Sequence, residues 1–508
     1  QLLVNYPIIG RLRYLLEEFR EPFRQYFGDE KFYESKDKLD WVYKAARDLP
    51  NYASFSPAQP LPKPKFMIRH ANIVLNDNEV ENSFEVIFGE RRRKPFISKS
   101  IIARSAMSDG SISPEGTRAF VQGSFIGGFP INSGEGGVTS NFFVTHENYD
   151  SKYMTIVDSS SLNKSIKRVA KFLFNGAIAA DVYRKLVFKN DPEAETYILD
   201  MNKKQFYRPN WDAPLEVFPK EVPSDMPDIV FQISSGLYGT RDKNGKFDAY
   251  RYQKVMSFCQ MTEIKIAQGA KQTGGKLSGA KVTPAIAYYR NVEAYKDVFS
   301  PNRFPYANSI EELFDFIGTL QELSGKPVGM KIVISDMQNI EPYAKEIKRR
   351  VDLGIDAYPD YITLDSGSGG SATAPLEMME RVGLNVRDSV YLVNKVLTDY
   401  GVRDKVRIVA SGKILTPDDI IIVMSLGADF LQIARGFMMS AGCIRARYCS
   451  GTTGRQCPVG LATQDKSKRR KYFVFKYANY VANYHKNLLK NVKGLLAIMG
   501  LKDIKQLD

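Results

Sequence analysis

From about residue 95 onward the chain alternates between two kinds of stretch. Short apolar or β-branched runs end in loops rich in glycine and serine: Ile101-Ile102-Ala103, Ile229-Val230-Phe231-Gln232, Val282 to Ala287, Met330 to Ile334, Tyr361 to Leu364, Val406 to Ala410 and Phe430 to Ile433. Each is short and bounded by turn formers, so each predicts a strand buried on both faces. Between them, apolar residues recur at helical spacing from Ile310 to Leu323, Glu377 to Tyr400 and Asp418 to Leu426. Strand, loop and helix in repeating order predict a parallel sheet, because parallel neighbours require a crossover. The residues with chemical character fall repeatedly just after a strand. That placement favours the rim of a closed barrel over the single switch point of a doubly wound sheet. No Gly-x-Gly-x-x-Gly follows the first strand. The expected fold class is α/β, a (β/α)8 TIM barrel, with an α-rich N-terminal arm and a C-terminal helical extension.

The flanks read differently. Residues 1–94 form the expected arm and linker: Tyr14, Leu15, Phe19, Phe23, Tyr26 and Phe27 recur at helical spacing, and Pro57-Ala-Gln-Pro-Leu-Pro-Lys-Pro64 breaks regular structure. The barrel is expected over 95–440, and a cysteine-bearing loop followed by helices over 441–508. The Tyr- and Lys-rich tail from about residue 472 is expected to pack back on the barrel. No run of about twenty uncharged apolar residues occurs, so no transmembrane helix is expected. The start at Gln1, in the apolar run Leu2-Leu3-Val4, raises the expectation of a membrane anchor or signal removed upstream. A cytoplasmic location, or one at the inner face of a membrane, follows from these readings.

Composition narrows the classes. With 44% hydrophobic and 25% charged residues over 508 positions, the chain can bury a large core and is not a disordered one. Its net charge of +14 invites a nucleic-acid reading, but no nucleic-acid-binding motif accompanies it, and none is expected as a partner. The runs Arg91-Arg92-Arg93-Lys94 and Lys468-Arg469-Arg470-Lys471 read as solvated faces, or as docking surfaces for an acidic redox partner or anionic membrane. Four cysteines are too few for a disulfide framework, and Cys443, Cys449 and Cys457 fall within 15 residues, as in a reduced metal or cluster site. Only His70, His146 and His485 are present, which disfavours a histidine triad or histidine-rich metal site and favours chemistry carried by a cofactor.

Five segments carry candidate chemistry. Ser366-Gly-Ser-Gly-Gly-Ser-Ala-Thr-Ala-Pro375 follows a strand, and its glycines let backbone amides converge on an anion, with a following helix adding its positive end. Ser411-Gly412-Lys413 and Ala434-Arg435-Gly436 stand after the last two strands, where phosphate-binding barrels commonly share the phosphate. Ala106 to Glu115 and Asn132 to Gly137 combine small and hydroxyl residues, so a flat ring can approach the main chain. Glu115 and Glu135 there have the chemistry to orient an ammonium or imine, although Ser111, Ser113 and Glu115 equally resemble a helix cap. Lys265 to Gly279 places Lys265, Lys271 and Lys276 in and around a glycine-rich loop suited to a dicarboxylate or a reduced flavin. Lys331, inside an apolar strand, is costly unless it meets an anion. Finally, Cys443-x5-Cys449-x7-Cys457-Pro458 lacks the paired spacing of structural zinc and is nearer to cluster ligation, with Cys259 open as a fourth ligand.

These blocks, in their order and spacing from about residue 95 to 465, resemble the FMN-binding synthase domain of the glutamate synthases, most closely the short stand-alone members. The matching stretches are Ser105 to Glu115, Gly127 to Gly137, Gln232 to Gly239, Lys265 to Lys281, Lys331 to Asp336, Ser366 to Pro375 and Gly427 to Gln464. The resemblance implies FMN at the barrel mouth. It implies that Ser366, Gly367, Ser368, Gly369, Gly370, Ser371 and Thr373, with Gly412, Ala434, Arg435 and Gly436, hold its phosphate, and that Met107, Ser108, Gln232 and Lys331 meet its ring system. Glu115, Lys271 and Lys276 would line the pocket for 2-oxoglutarate and its imine. Cys443, Cys449 and Cys457 would hold a 3Fe–4S cluster. The implied reaction is reductive amination of 2-oxoglutarate to glutamate, with electrons from ferredoxin or a reductase subunit and ammonia from solution or a glutaminase partner. Two departures, Lys413-Ile-Leu-Thr416 where relatives place an Arg and Lys276 where they place Gln, leave open a related flavoenzyme acting on a different amine or oxo acid. An electron-relay subunit without amination activity is the remaining alternative.

Overall fold

The structure, a computed structural model, describes residues 36–52, 66–143, 154–156, 188, 197–200, 205–209, 219 and 221–507, apart from 270, 272, 273, 376, 380 and 451–454. The helical spacing expected over Tyr14 to Phe27 and the proline run at 57–64 lie outside these residues. Part of the arm is present as α1 (Lys36–Ala46), which meets the barrel's last helix through Asn483 and Asn487, whose Nδ2 atoms donate to the carbonyls of Ala46 and Ala45.

Eight parallel strands close into the expected barrel: β3 (Ile102–Arg104), β4 (Ile131–Asn132), β8 (Ile229–Ile233), β9 (Met261–Lys265), β12 (Val328–Ile332), β13 (Tyr361–Asp365), β14 (Arg407–Ser411) and β15 (Phe430–Ile433). The intervening numbers belong to three small sheets. β1 (Val86–Phe88) and β2 (Phe96–Ser98) form a hairpin, β5 (Met154–Ile156), β6 (Ile198–Asp200) and β7 (Gln205–Pro209) an antiparallel insertion, and β10 (Lys276–Leu277) and β11 (Val298–Phe299) a ribbon. Helices α2 (Pro114–Gly127), α3 (Ala249–Met256), α4 (Pro284–Arg290), α5 (Ile310–Ser324), α6 (Met337–Asp352), α7 (Val386–Asp399), α8 (Pro417–Ser425) and α9 (Arg435–Ser440) follow strands in turn, and α10 (Val474–Met499) closes the described chain. None of the described helices is long and apolar enough to cross a membrane.

The barrel interior is layered, as alternation along each strand requires. At its N-terminal end the β1–β2 hairpin drives Phe88 and Phe96 against Ala103, Val230, Met261, Tyr361, Val409 and Phe430. Phe88 meets the rings of Tyr361 and Phe430 edge-on at 5.4 and 5.2 Å. Tyr361 fills so much of the axis that a Cβ on Gly329 would fall 2.5 Å from its ring. The middle layer is polar: the buried Glu263 carboxylate accepts from Asn132 Nδ2, Gln232 Nε2, Gln432 Nε2 and Thr363 Oγ1 at 2.9, 2.7, 2.8 and 2.6 Å.

Four readings of the sequence are corrected by the fold. Val282 to Ala287 is no strand: Thr283 caps a helix at Ile286 N and Pro284 stands at its first turn, so the run becomes α4. The helix expected from Glu377 starts only at Val386, capped by Asn385, with Gly383 at φ +90° just before it. No helix N-terminus therefore follows the Ser366 loop directly. The run Arg91 to Lys94 is neither solvated nor a docking face at its first two positions: Arg92 Nε lies 2.9 Å from Asp360 Oδ1, and Arg91 Nε lies 2.6 Å from Asp356 Oδ1. Arg469, in the second run, is likewise buried. Two strands, β4 and β9, escaped the hydrophobic pattern because each carries polar residues that face the barrel's polar middle layer.

Candidate active site

Side chains two residues beyond the polar layer point to the same axis and reach the C-terminal mouth. Glu263 pairs in register with Gly329, and Lys265 with Lys331, so both lysines emerge above the Glu263 carboxylate. Lys331 is 4% exposed, and its ammonium has no hydrogen bond or ion pair among the described residues. Lys265 Nζ donates to Glu135 Oε2 at 2.8 Å.

Glu135 arrives on the loop after β4. Gly134 has φ +68°, and a Cβ there would fall 2.5 Å from Ser108 N, so only glycine lets this loop lie against the one after β3. Burial pushes the Glu135 carboxyl up, but Lys265, Arg290 and the Ser234 hydroxyl together outweigh it and bring the carboxyl down to about 2. Arg290 projects from α4, buried, with Nη2 donating to Ser108 Oγ at 3.4 Å and Asp109 O at 3.3 Å. Its guanidinium lies 5.2 Å from the Tyr238 ring centre, and its Nε has no partner among the described residues. Lys271 is buried and donates to Thr373 Oγ1 at 2.8 Å, with burial lowering its pKa and Glu135 opposing that fall. Three cations thus face one carboxylate, an excess of positive charge suited to an anion with two carboxylates.

The two other residues assigned to this pocket from sequence lie elsewhere. Lys276 is on the β10–β11 ribbon, 44% exposed, paired with Asp297 at 2.9 Å. Glu115 begins α2, where both carboxylate oxygens accept from Arg469 Nη1 at 2.9 and 2.8 Å, fastening the tail to the barrel. Arg290 went unnoticed in the sequence because the run leading to it reads as a strand. Arg104 went unnoticed too: buried on β3, it donates to Ser105 O and Met107 O at 2.8 and 3.2 Å and so shapes the loop carrying Met107 and Ser108.

Some of the residues expected around a flavin phosphate lie together. Ser366 Oγ and Ser368 Oγ share a hydrogen bond of 2.7 Å, and Gly412, at φ +128°, lies so close that a Cβ would fall 2.3 Å from Ser366 Cβ. Gly370 faces Arg435, whose Nη2 would stand 3.7 Å from a Cβ at that glycine. The amides of Gly370 and Ser371 donate to no group among the described residues. Together with the unpartnered Lys331 ammonium, these open donors fit a phosphate and an electron-rich ring. Two expectations need refinement. Gln232 has its amide nitrogen engaged by Glu263, and the glycine at 436 answers to Tyr484, whose hydroxyl would stand 2.0 Å from a Cβ there.

Cys443, Cys449 and Cys457 come together in one loop, near enough that Cys449 and Cys457 help raise the Cys443 thiol, which burial above all pushes up to about 12. Among the described residues, however, no three His, Cys, Asp or Glu side chains stand arranged to hold a metal ion. The thiols are neighbours rather than a preset ligand triangle, while their chemistry, three sulfurs in mutual electrostatic range and none exposed, fits an iron–sulfur cluster. Cys259 is not with them. It precedes β9 at the opposite end of the barrel, where Lys326 Nζ donates to its carbonyl.

A family model described as the conserved region in glutamate synthase matches residues 56–502. A Bacillus subtilis protein named as glutamate synthase large subunit-like is 29% identical, with 98% of this chain and 87% of that protein covered. An archaeal-type glutamate synthase [NADPH] of a Thermotoga species is 30% identical over 57% of this chain, and an archaeal glutamate synthase [NADPH] of Methanocaldococcus jannaschii 30% over 55%. The chain matches only about half the length of these two, 53% and 51%. Among solved structures, a flavocytochrome b2 variant with sulfite bound covers 96% of this chain at 10% identity and a TM-score of 0.43, too remote to bear on the site. By the extent of the family match, the chain belongs to the glutamate synthase family.

Proposed function

We propose that this protein is an FMN-dependent oxidoreductase that makes glutamate by reductive amination of 2-oxoglutarate. The observation that carries the reading is the mouth's charge arrangement: Lys265, Lys271 and Arg290 surround Glu135 beside the unpartnered Lys331 ammonium. The chemistry a bound FMN supplies is hydride delivery to an imine carbon. Arg290 and Lys271 take the substrate carboxylates, Arg290 offering its open Nε. Lys265 keeps Glu135 ionised, so that Glu135 can hold an ammonium ion beside the reacting carbon. Glu135 takes the role that the sequence reading gave to Glu115, since Arg469 engages Glu115. Lys331 compensates negative charge on the ring system. Ser366 to Thr373, Gly412 and Ala434 to Gly436 hold the phosphate.

Cys443, Cys449 and Cys457 are the proposed ligands of a 3Fe–4S cluster. Ferredoxin or a reductase subunit supplies electrons, and solution or a glutaminase partner supplies ammonia. The purified protein should carry stoichiometric FMN and convert labelled ammonia and 2-oxoglutarate to labelled glutamate when reduced ferredoxin is present. Flavin without glutamate, but with turnover of another oxo acid, moves the assignment to that acid. Absence of flavin from protein purified and reconstituted with FMN overturns the reading altogether.

A further inference from the structure

Lys281 sits in the short 3-10 turn Gly279–Lys281, ahead of the Thr283 cap of α4, and is 8% exposed. Its ammonium donates to three carbonyls from three separate segments: Cys449 O at 2.6 Å, Ala462 O at 3.2 Å and Ser111 O at 3.4 Å. One side chain therefore joins the cysteine loop, the segment that follows it and the rim loop carrying Ser108. No carboxylate pairs with it among the described residues. The titratable groups within its electrostatic range are the thiols of Cys449 and Cys457. A buried ammonium held only by neutral carbonyls is costly, and the cost falls if negative charge comes to lie beside it.

We infer that Lys281 is the positioning residue of the cysteine loop: its ammonium fastens the loop to the barrel rim through three carbonyls and supplies the positive charge for a net-negative guest bound by the cysteines. This rests on the cluster reading above, since iron and sulfide held by three thiolates form an assembly of net negative charge. Lys281 touches no substrate. It acts by holding the loop and by setting the field in which the sulfurs sit.

The test compares wild type with Lys281→Met, which removes charge and donors, and with Lys281→Gln, which keeps a donor and secures the comparison if the first variant folds poorly. All three are reconstituted anaerobically with ferric iron and sulfide. Iron and sulfide per chain, the cluster's electron paramagnetic resonance and its reduction potential are then measured. In metal-free protein, hydrogen exchange is followed at the amides between Cys443 and Cys457. Lys281→Met should lose most of its cluster, show a lower potential in what remains, and exchange loop amides at least about tenfold faster; Lys281→Gln should fall between. Equal cluster content and potential, with unchanged loop exchange, overturn the inference. If wild type itself takes up no cluster, the cluster reading and the charged-guest half of the inference fail together. Loop exchange in metal-free protein then judges the fastening alone: acceleration in Lys281→Met supports it, and no change ends it.

Discussion

The two ends of the barrel are both rich in positive charge, yet they treat it in opposite ways. At the N-terminal end Arg91 and Arg92 both lie against carboxylates, Asp356 and Asp360. Asp360 accepts from Arg92 Nε at 2.9 and 3.1 Å, from Gln321 Nε2 at 2.9 Å and from Val328 N at 2.9 Å, and Arg91 lies over the Tyr358 ring at 3.6 Å. Both arginines there have counter-charges supplied by the chain, and the result is a plug. At the C-terminal end Lys331 has no partner among the described residues, Arg290 has an open Nε, and three cations share the Glu135 carboxylate. Buried charge that is fully answered by the chain is architecture. Buried charge left over is a request for something the chain does not supply.

Substitutions can break or sharpen this contrast. The largest effect is expected at the plug: Asp360→Ala removes the buried partner of Arg92 Nε, Gln321 Nε2 and Val328 N and should cost about 3–5 kcal/mol in denaturant unfolding. A loss below about 1 kcal/mol would put the plug on the same footing as the mouth. Next, Glu135→Gln should slow glutamate formation roughly hundredfold while flavin content stays unchanged. Glu115→Gln, by contrast, should lower stability by weakening the buried Glu115–Arg469 ion pair and leave turnover per folded molecule nearly intact. A kinetic loss confined to Glu115→Gln would reverse the assignment of the two carboxylates.

Lys331→Met should weaken FMN binding about tenfold, near 1.4 kcal/mol, measured by quenching of flavin fluorescence. The melting temperature of the flavin-free protein should hold or rise, since an uncompensated buried ammonium is removed. A lower melting temperature with unaltered flavin affinity contradicts the role given to that lysine. A smaller effect concerns acid. The Glu135 carboxyl falls from the ordinary 4.5 to about 2 on folding, so its ion pair stabilises the protein above pH 4.5, and that stability is lost as pH drops toward 2. Lys265→Met should flatten this part of the acid melting curve. The smallest change is expected for Lys276→Ala: its exposed pair with Asp297 predicts a shift within about 0.5 kcal/mol and a KM within about twofold.

The contrast also explains what could be read from the sequence. The strand runs at 229, 330, 361, 406 and 430 were legible because their interior neighbours are apolar, and Lys331 stood out because it interrupts such a run. β9 was hidden by Glu263, whose charge is tolerable only because four donors from other strands meet it, a fact no local pattern contains. Arg290 was hidden by Val282 to Ala287, whose β-like composition is overridden by the Thr283 cap and Pro284. Lys276 and Lys271 share one loop, and only the ribbon that carries Lys276 outward separates them. Glu115 was visible both as an acid and as a capping residue. The arginine 354 positions away that decides between those roles was not.

The closing helix has a consequence for biosynthesis. Tyr484 of α10 donates to Leu415 O and occupies the room beside Gly436, at the segment proposed to hold the flavin phosphate. His485, one residue on, bonds with Ser100 Oγ just before β3, the strand that must join β15 to complete the circle. A nascent chain therefore has all eight strands out of the ribosome before it owns the piece that braces their seam. Cofactor capture should begin only after translation has passed these residues.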